Sequence, residues 1–419
     1  MAAMRTITTS WTPASIVPRS GCMDLAPPAE VVTLGCRLNI AESETIRGLI
    51  AGRDLVVVNS CAVTNAAVKE TRAAIRRAWR QRPGAEIVVT GCAAEVDPAG
   101  FRAMPEVTRI VRNGDKLAPH SWGASTLAAP LFTNHARAFV EVQNGCDHRC
   151  TFCAIPFGRG ASRSVAAGAV IDRIAALVDA GHQEVVLTGV DVTSYGHDLP
   201  GAPSLGSLVE RILAHVPALE RLRLSSLDAV EIDDRLFAAV TQDARVMPHL
   251  HLSLQAGDDM VLKRMKRRHA RADAVALVAR LKAARPDIAI GADLIAGFPT
   301  EDAAMFANTL AILDDCDVVH AHVFPYSPRA GTPAARMPQV AAGLVRERAA
   351  RLRAKAAVRR RAWLASLVGS VQSVLVERRG DRGHAANFAE VRLPPSPPGS
   401  VQRVRIVAAT DTDLEGLPA

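Results

Sequence analysis

The sequence predicts an α/β protein in three zones: an N-terminal open parallel sheet, a partial barrel of six βα units and a small C-terminal β-barrel. Three observations carry this expectation. Short β-branched runs alternate with helix-like stretches from Val31 to Phe324, the rhythm of parallel strands joined by helices. An Ala-, Ser- and Pro-rich linker from about Pro119 to Pro130 cuts that series in two. Beyond a basic segment, short strands punctuated by Gly and Pro turns close the chain over about 50 residues, a length that suits a five-stranded barrel of the kind used for nucleic acids.

With 419 residues, 49% hydrophobic and 22% charged, the chain can bury two or three cores, and disorder over most of its length is excluded. No apolar run reaches the roughly 18–20 residues that cross a bilayer, so no membrane partner is expected. Residues 1–29 lack a continuous apolar run and are rich in Ser, Thr, Pro and Ala. They are read as a disordered extension rather than a secretory signal, with translation from Met23 or an organelle-transit segment as alternatives.

The first zone, 30–125, contains strand candidates Val31 to Leu34, Leu55 to Val58 and Glu86 to Thr90. Each ends on a small residue followed by Cys: Gly35-Cys36, Ser60-Cys61 and Gly91-Cys92. In an open parallel sheet the carboxyl ends of strands share one edge, where ligands bind. Thiols 25 and 31 residues apart can therefore converge on one crowded group, and three buried apolar cysteines are the alternative.

The second zone, 132–363, contains strand candidates Ala138 to Gln143, Glu184 to Thr188, Arg221 to Ser226, His249 to Leu254, Ile288 to Ile295 and Val318 to Phe324. Between them lie helical patterns such as Val170 to Ala180, Leu205 to Val216 and Asp302 to Leu313, the last opened by the helix-start signal Thr300-Glu301-Asp302. The active face of such a barrel is at the strand carboxyl ends. The third zone, 367–419, contains Ser370 to Glu377, Ala389 to Leu393 and Val401 to Val407.

Directly after the first barrel strand stands Cys146-Asp147-His148-Arg149-Cys150-Thr151-Phe152-Cys153. Three thiolates in one loop can hold three corners of an iron–sulfur cubane and leave the fourth iron open. A structural zinc would need a fourth protein ligand, and His148 between two ligands in so tight a loop points poorly toward the same metal. Cys usage this sparse, with three thiols in eight residues, indicates a reducing compartment, the cytoplasm.

The formal charge is +8, and eight basic side chains against one acid fall between Arg346 and Arg361. Backbone phosphates dominate nucleic-acid affinity, so Arg353, Lys355, Arg359, Arg360 and Arg361 are candidate RNA contacts. A solvated charged face is the alternative. A second basic run, Lys263 to Arg268, would extend the footprint.

The C-x3-C-x2-C loop resembles that of the radical S-adenosylmethionine (SAM) superfamily, and the stretch from Asn144-Gly145-Cys146 to Ile155-Pro156-Phe157-Gly158-Arg159-Gly160 is similar to the cluster loop of the methylthiotransferases. Further similar blocks are Leu187 to Asp191, Leu224 to Leu227, His251 to Gly257, Ala296 to Glu301 and His322 to Arg329, so the resemblance spans about residues 31 to 410. It implies a radical SAM partial barrel, a TRAM-like C-terminal barrel and two four-iron four-sulfur clusters, one on Cys146, Cys150 and Cys153 with SAM on its open iron, the other on Cys36, Cys61 and Cys92.

The same resemblance makes Gly189, Asp191, Ser225, Ser226 and Gln255 the expected SAM contacts, with capping or turn roles as their alternative. It implies the anticodon loop of tRNA as partner, together with an electron donor such as flavodoxin or ferredoxin and a sulfur source. Gly35-Cys36-Arg37-Leu38-Asn39 is similar to the branch acting on N6-threonylcarbamoyladenosine at position 37. Action on N6-isopentenyladenosine, or a non-catalytic iron–sulfur RNA-binding role, are the alternatives. Positive charge from Arg37 and Arg329 would suit the threonylcarbamoyl carboxylate. The family often has Ser where Ala256 stands and Gly where Thr300 stands.

Overall fold

A computed structural model describes residues 29–126, 132 and 135–419, so the expectations placed on residues 1–28, including Met23 and Cys22, lie outside the described residues. The chain divides into two compact units, 1–130 and 131–419.

In the first unit, strands Glu30–Thr33, Leu55–Ser60, Glu86–Gly91 and Arg109–Ile110 form a parallel sheet in that order. The helices Arg37–Leu49 and Asn65–Gln81 connect the first three strands. Alternation along the strands fills a core on each face: Val57 and Val88 pack with Ile46, Leu49 and Trp122, whereas Val56, Val58, Ile87 and Val89 pack with Ile75 and Phe101. The linker begins later than its composition indicates. Residues Pro119–Trp122 form a 3-10 turn whose Trp122 is fully buried, its Nε1 donating to the Lys116 carbonyl at 2.7 Å. A Pro- and Ser-rich composition hides one large aromatic that the core recruits.

The second unit holds six parallel strands in two triplets: Ala138–Glu141, Glu184–Thr188 and Arg221–Leu224, then His249–Gln255, Ala289–Ala296 and Val318–Pro325. Parallel bridges Leu222 to Val246 and Leu227 to Leu252 join the triplets into one curved surface. Along His249–Gln255 the leucines 250, 252 and 254 are buried in the apolar core, which leaves His249, His251, Ser253 and Gln255 on the opposite, concave face. The residue after the first strand breaks its run, so Gln143–Asn144 forms a separate short pair with Arg163–Ser164.

The last five strands, Val371–Val376, Arg382–Ala385, Glu390–Arg392, Val401–Ala409 and Leu414–Pro418, make a closed barrel. Two of them escape the sequence pattern, because Arg382–Ala385 and Leu414–Pro418 contain no β-branched residue. The helix Ala342–Ser366 leads into this barrel and places Leu364 in its core.

Under the concave face the buried Glu184 carboxylate meets three guanidinium groups: Arg137 at 2.9 Å, Arg221 at 2.8 Å and Arg223 at 2.9 Å. Burial alone would push its carboxyl up; Arg223, Arg137 and Arg221 outweigh this and hold it far below the usual carboxylate range. Arg223 also donates to the Ala385 and Ala386 carbonyls at 2.8 and 2.9 Å, and Arg221 to Ser373 Oγ at 3.0 Å. Phe388, at φ +69°, stacks on His249 and lies under the guanidinium of Arg223. The small barrel is thus fastened to the floor of the partial barrel by charge and by one inserted ring.

Candidate metal centres and cofactor pocket

The loop carrying Cys146, Cys150 and Cys153 is pinned by backbone on every side. Cys146 N donates to Gly160 O at 3.1 Å, Cys153 N to Cys150 O at 3.1 Å, and Thr151 is tied to Met265 and Arg264 carbonyls at 3.0 and 2.8 Å. Gly145 sits at φ +74°, where a Cβ would strike the Ala161 carbonyl oxygen. Burial first, then Asp191 and the neighbouring thiols Cys153 and Cys150, push the Cys146 thiol up to about 12. A thiol so disfavoured as an anion ionises readily only against a cation, which is the condition an iron–sulfur cluster meets. The donor set fits that group.

Asp191 and His148 face each other across this loop, His148 Nε2 to Asp191 Oδ2 at 2.8 Å, with Ser194 Oγ donating to the same oxygen at 2.7 Å. Burial raises the Asp191 carboxyl, but the His148 and Ser194 hydrogen bonds outweigh it and keep it ionised. Reciprocally, Asp191 raises the His148 imidazole. His148 is therefore engaged with a carboxylate.

The other expected SAM contacts divide. Ser225 is buried at the end of its strand and its hydroxyl has no hydrogen-bond partner among the described residues, the condition of a group awaiting a polar ligand. Ser226, one residue on, is exposed. Gln255 takes φ +65° beside a register shift of its strand. Gly189 is required by the protein itself, since a Cβ there would lie 2.6 Å from the Gln143 carbonyl oxygen.

Two neighbours emerge only in three dimensions. Arg267, of the second basic run, has a buried side chain; it donates to Asp228 Oδ2 and Ser253 O at 2.8 Å and approaches Cys150 Sγ at 3.8 Å. Burial works against ionisation of Asp228, but His269, Arg267 and Arg268 bring it down to about 2. Arg264 bonds the Thr300 carbonyl. From the run Lys263 to Arg268, Arg267 thus lies against the cluster loop, while Lys263, Lys266 and Arg268 are exposed. Thr300 takes φ +66°, a left-handed position where glycine is at ease. Thr300→Gly is expected to stabilise the fold by about 0.5–1 kcal/mol, relieved strain exceeding the added chain entropy, as read by urea unfolding.

In the first unit the strand register brings two thiols abreast. Ser60 pairs with Gly91, so the next residues, Cys61 and Cys92, leave adjacent strands at the same level, about 5 Å apart in backbone spacing. Gly35, at φ +99°, approaches so closely that a Cβ would lie 2.8 Å from Cys61 Sγ, and this delivers Cys36 to the same edge. Asn39 secures the turn by donating to Leu34 O and Ser60 O at 2.6 and 3.1 Å. Cys61 and Cys92 are buried and Cys36 is exposed. The set fits a second cluster open on one side. Cys316, by contrast, is a buried thiol pushed up to about 12 by burial, in keeping with a core role.

The basic helix is largely engaged within the chain. Lys355 pairs with Asp314 at 2.5 Å; Arg359 with Asp314 and Asp317 at 2.7 and 2.5 Å; Arg361 with Asp411 at 2.7 Å; and Arg360 reaches His320 Nδ1 and Thr412 O, both at 2.9 Å. Arg353 is exposed and donates to Val323 O at 2.9 Å, while Arg346 is exposed. Arg329 is buried. Acidic partners 40 to 50 residues away are invisible to a reading of the helix alone. Among the described residues, no helix is long and apolar enough to cross a membrane.

Comparison with known proteins sets these features in context. Residues 140–313 match the Radical SAM superfamily, and residues 29–112 match the uncharacterized protein family UPF0004. The chain is 45% identical over 383 residues to the threonylcarbamoyladenosine tRNA methylthiotransferase MtaB of Rickettsia prowazekii (strain Madrid E), covering 87% of this chain and 91% of that one. Similarity to the Bacillus subtilis (strain 168) protein of the same name is 36%, covering 76% and 78%. A tRNA-2-methylthio-N(6)-dimethylallyladenosine synthase of Cereibacter sphaeroides is 32% identical, covering 92% and 97%. The radical SAM methyltransferase TsrM of Kitasatospora setae, solved with tryptophan and a SAM analogue, superposes with a TM-score of 0.51 at 16% identity over 67% of this chain and 64% of that one, a likeness of fold alone.

Proposed function

Since the chain belongs to the radical SAM methylthiotransferase family, we propose that it adds a methylthio group to C2 of N6-threonylcarbamoyladenosine at position 37 of tRNA. The observation that carries the sulfur insertion is the register that sets Cys61 beside Cys92 with Cys36 at the same edge, because a second three-thiol centre is what it requires beyond SAM cleavage; the choice of threonylcarbamoyladenosine is supported by the 45% identity to the Rickettsia prowazekii protein.

Cys146, Cys150 and Cys153 would hold one four-iron four-sulfur cluster, and Cys36, Cys61 and Cys92 a second. Bound there, the clusters and SAM supply a carbon-centred radical and a methylated sulfur. C2 carries an unactivated C–H bond that acid or base groups cannot open, so the protein's own residues serve to bind, orient and exclude water. Ser225 is available to hydrogen-bond SAM, and Arg267 places a positive charge against the thiolate of Cys150. Asp191, paired with His148, stiffens the loop rather than donating a proton. An electron donor of the flavodoxin or ferredoxin kind and a sulfur source complete the reaction.

RNA contact is assigned to the exposed arginines Arg346 and Arg353, the second held by a single backbone carbonyl, since Lys355, Arg359 and Arg361 are neutralised by carboxylates of the chain and Arg360 is held by two acceptors. Each phosphate contact lowers the slope of log affinity against log salt by about 0.7–0.9. Neutralising Arg359, Arg360 and Arg361 together is expected to change that slope by less than about one, and a flattening of two or more would return these residues to the RNA interface. Deleting the gene and analysing tRNA nucleosides by mass spectrometry tests the function itself. The methylthio group is expected to vanish from threonylcarbamoyladenosine; loss only from isopentenyladenosine would transfer the assignment to that substrate.

A further inference from the structure

On the concave face, one layer below the strand ends, His251 Nε2 and His322 Nδ1 both reach Asp293 Oδ1, at 3.0 and 3.1 Å. Burial raises the Asp293 carboxyl, but the two imidazole hydrogen bonds outweigh it and hold it ionised. The three residues come from three adjacent strands, with Asp293 in register with His322. Their exposure is graded: His251 is 7% exposed, Asp293 20% and His322 62%. His322 therefore presents its free edge outward while the other two fix its ring. Val318–Pro325, which carries it, pairs with one strand only among the described residues, and Arg353 donates to the Val323 carbonyl at the next residue, bringing a guanidinium to the same strand.

Asp293 lies three residues before the carboxyl end of its strand at Ala296, about 10 Å along the strand. In a threonylcarbamoyladenosine the carboxylate carbon is seven bonds from C2, roughly 8 Å when extended. A base whose C2 sits at the strand ends can therefore lay its N6 arm along this layer. An isopentenyl arm would instead leave the His322 edge facing hydrocarbon.

We propose that His322, oriented by Asp293 and His251 and assisted by Arg353, receives the carboxylate of the substrate's N6 arm and so selects it. This rests on the reaction proposed above. The imidazole nitrogen not bonded to Asp293 donates to the carboxylate, and no covalent or redox step is involved.

The test compares two anticodon stem-loops, one carrying threonylcarbamoyladenosine and one its carboxyl methylamide, with cluster-loaded full-length protein. The native protein is expected to favour the carboxylate by about 10–100-fold in kcat/KM, the range of a charge-assisted hydrogen bond. His322→Ala should abolish that preference by raising KM for the carboxylate form, and His322→Arg should restore part of it. Equal losses on both stem-loops in His322→Ala, or no preference in the native protein, would overturn the assignment. So would a divalent metal beyond the cluster iron that co-purifies with the native protein and is lost in His322→Ala, since the triad would then be a metal site. If the native protein leaves both stem-loops unmodified and methylthiolates a third, carrying isopentenyladenosine and run as a control, it is the proposed reaction that fails, and that outcome is read before any variant is made.

Discussion

Replacing Cys150 with Ala is expected to abolish SAM cleavage, whereas Cys61→Ala should keep part of the cleavage and yield no methylthiolated nucleoside. Cys150 is one of the three thiols proposed to hold the SAM-binding cluster, in a loop whose backbone is tied to Met265, Arg264 and Gly160, so no other thiol of that loop can move in to replace it. Cys61 belongs to the other compact unit, where its loss removes one of three strand-end thiols and leaves the SAM loop untouched. Anaerobic incubation with SAM and a strong reductant, followed by chromatography for deoxyadenosine and mass spectrometry of the tRNA, separates the two readouts. Full product from Cys61→Ala would falsify the second centre. A scaffold that merely carries clusters would release no deoxyadenosine even as the native protein.

Glu184→Ala should cost about 3–5 kcal/mol, the range for removing one partner of a buried ion cluster. The side chains of Arg221 and Arg223 are 4% and 3% exposed, so their charges would remain buried without the carboxylate that compensates them. The effect is pH-dependent. A carboxyl held far below its unfolded value contributes its full stability above the ordinary carboxylate range and loses it as pH falls through the folded value. Native protein should therefore weaken progressively below about pH 4, and Glu184→Gln should weaken less steeply over that range. Urea midpoints measured across pH give both quantities. A variant within about 0.5 kcal/mol of native at neutral pH would mean that the arginines find other acceptors.

The strands were legible because parallel strands buried on both faces read as short β-branched runs, and Leu55–Ser60 and Glu86–Gly91 are of that kind. The thiols were legible because their spacing is local in one loop and repeated at strand ends in the other unit. What escaped depends on partners far away in sequence. Arg359 looks like a phosphate ligand until Asp314 and Asp317 are folded against it, and Arg267 looks like surface charge until Asp228 and Ser253 enclose it. The His251, Asp293 and His322 layer had a faint signal, the period-two alternation of histidine with leucine or alanine in His249-Leu250-His251-Leu252 and His320-Ala321-His322. Only register reveals that an acid stands between them.

The pairing of Ser60 with Gly91 makes strand length a ruler. Cys61 and Cys92 arrive abreast because each strand between its first paired residue and its thiol has the same number of residues, six in Leu55–Ser60 and six in Glu86–Gly91. One residue inserted into either strand would advance its thiol by about 3.3 Å and turn it to the opposite face. The helix Asn65–Gln81 that joins the strands is under no such rule, since a turn more or less there leaves both endpoints in place. Descendants of this fold are thus free to vary in the crossover and bound to a fixed count in the strands, and length changes in the first unit should be confined to the connecting segments.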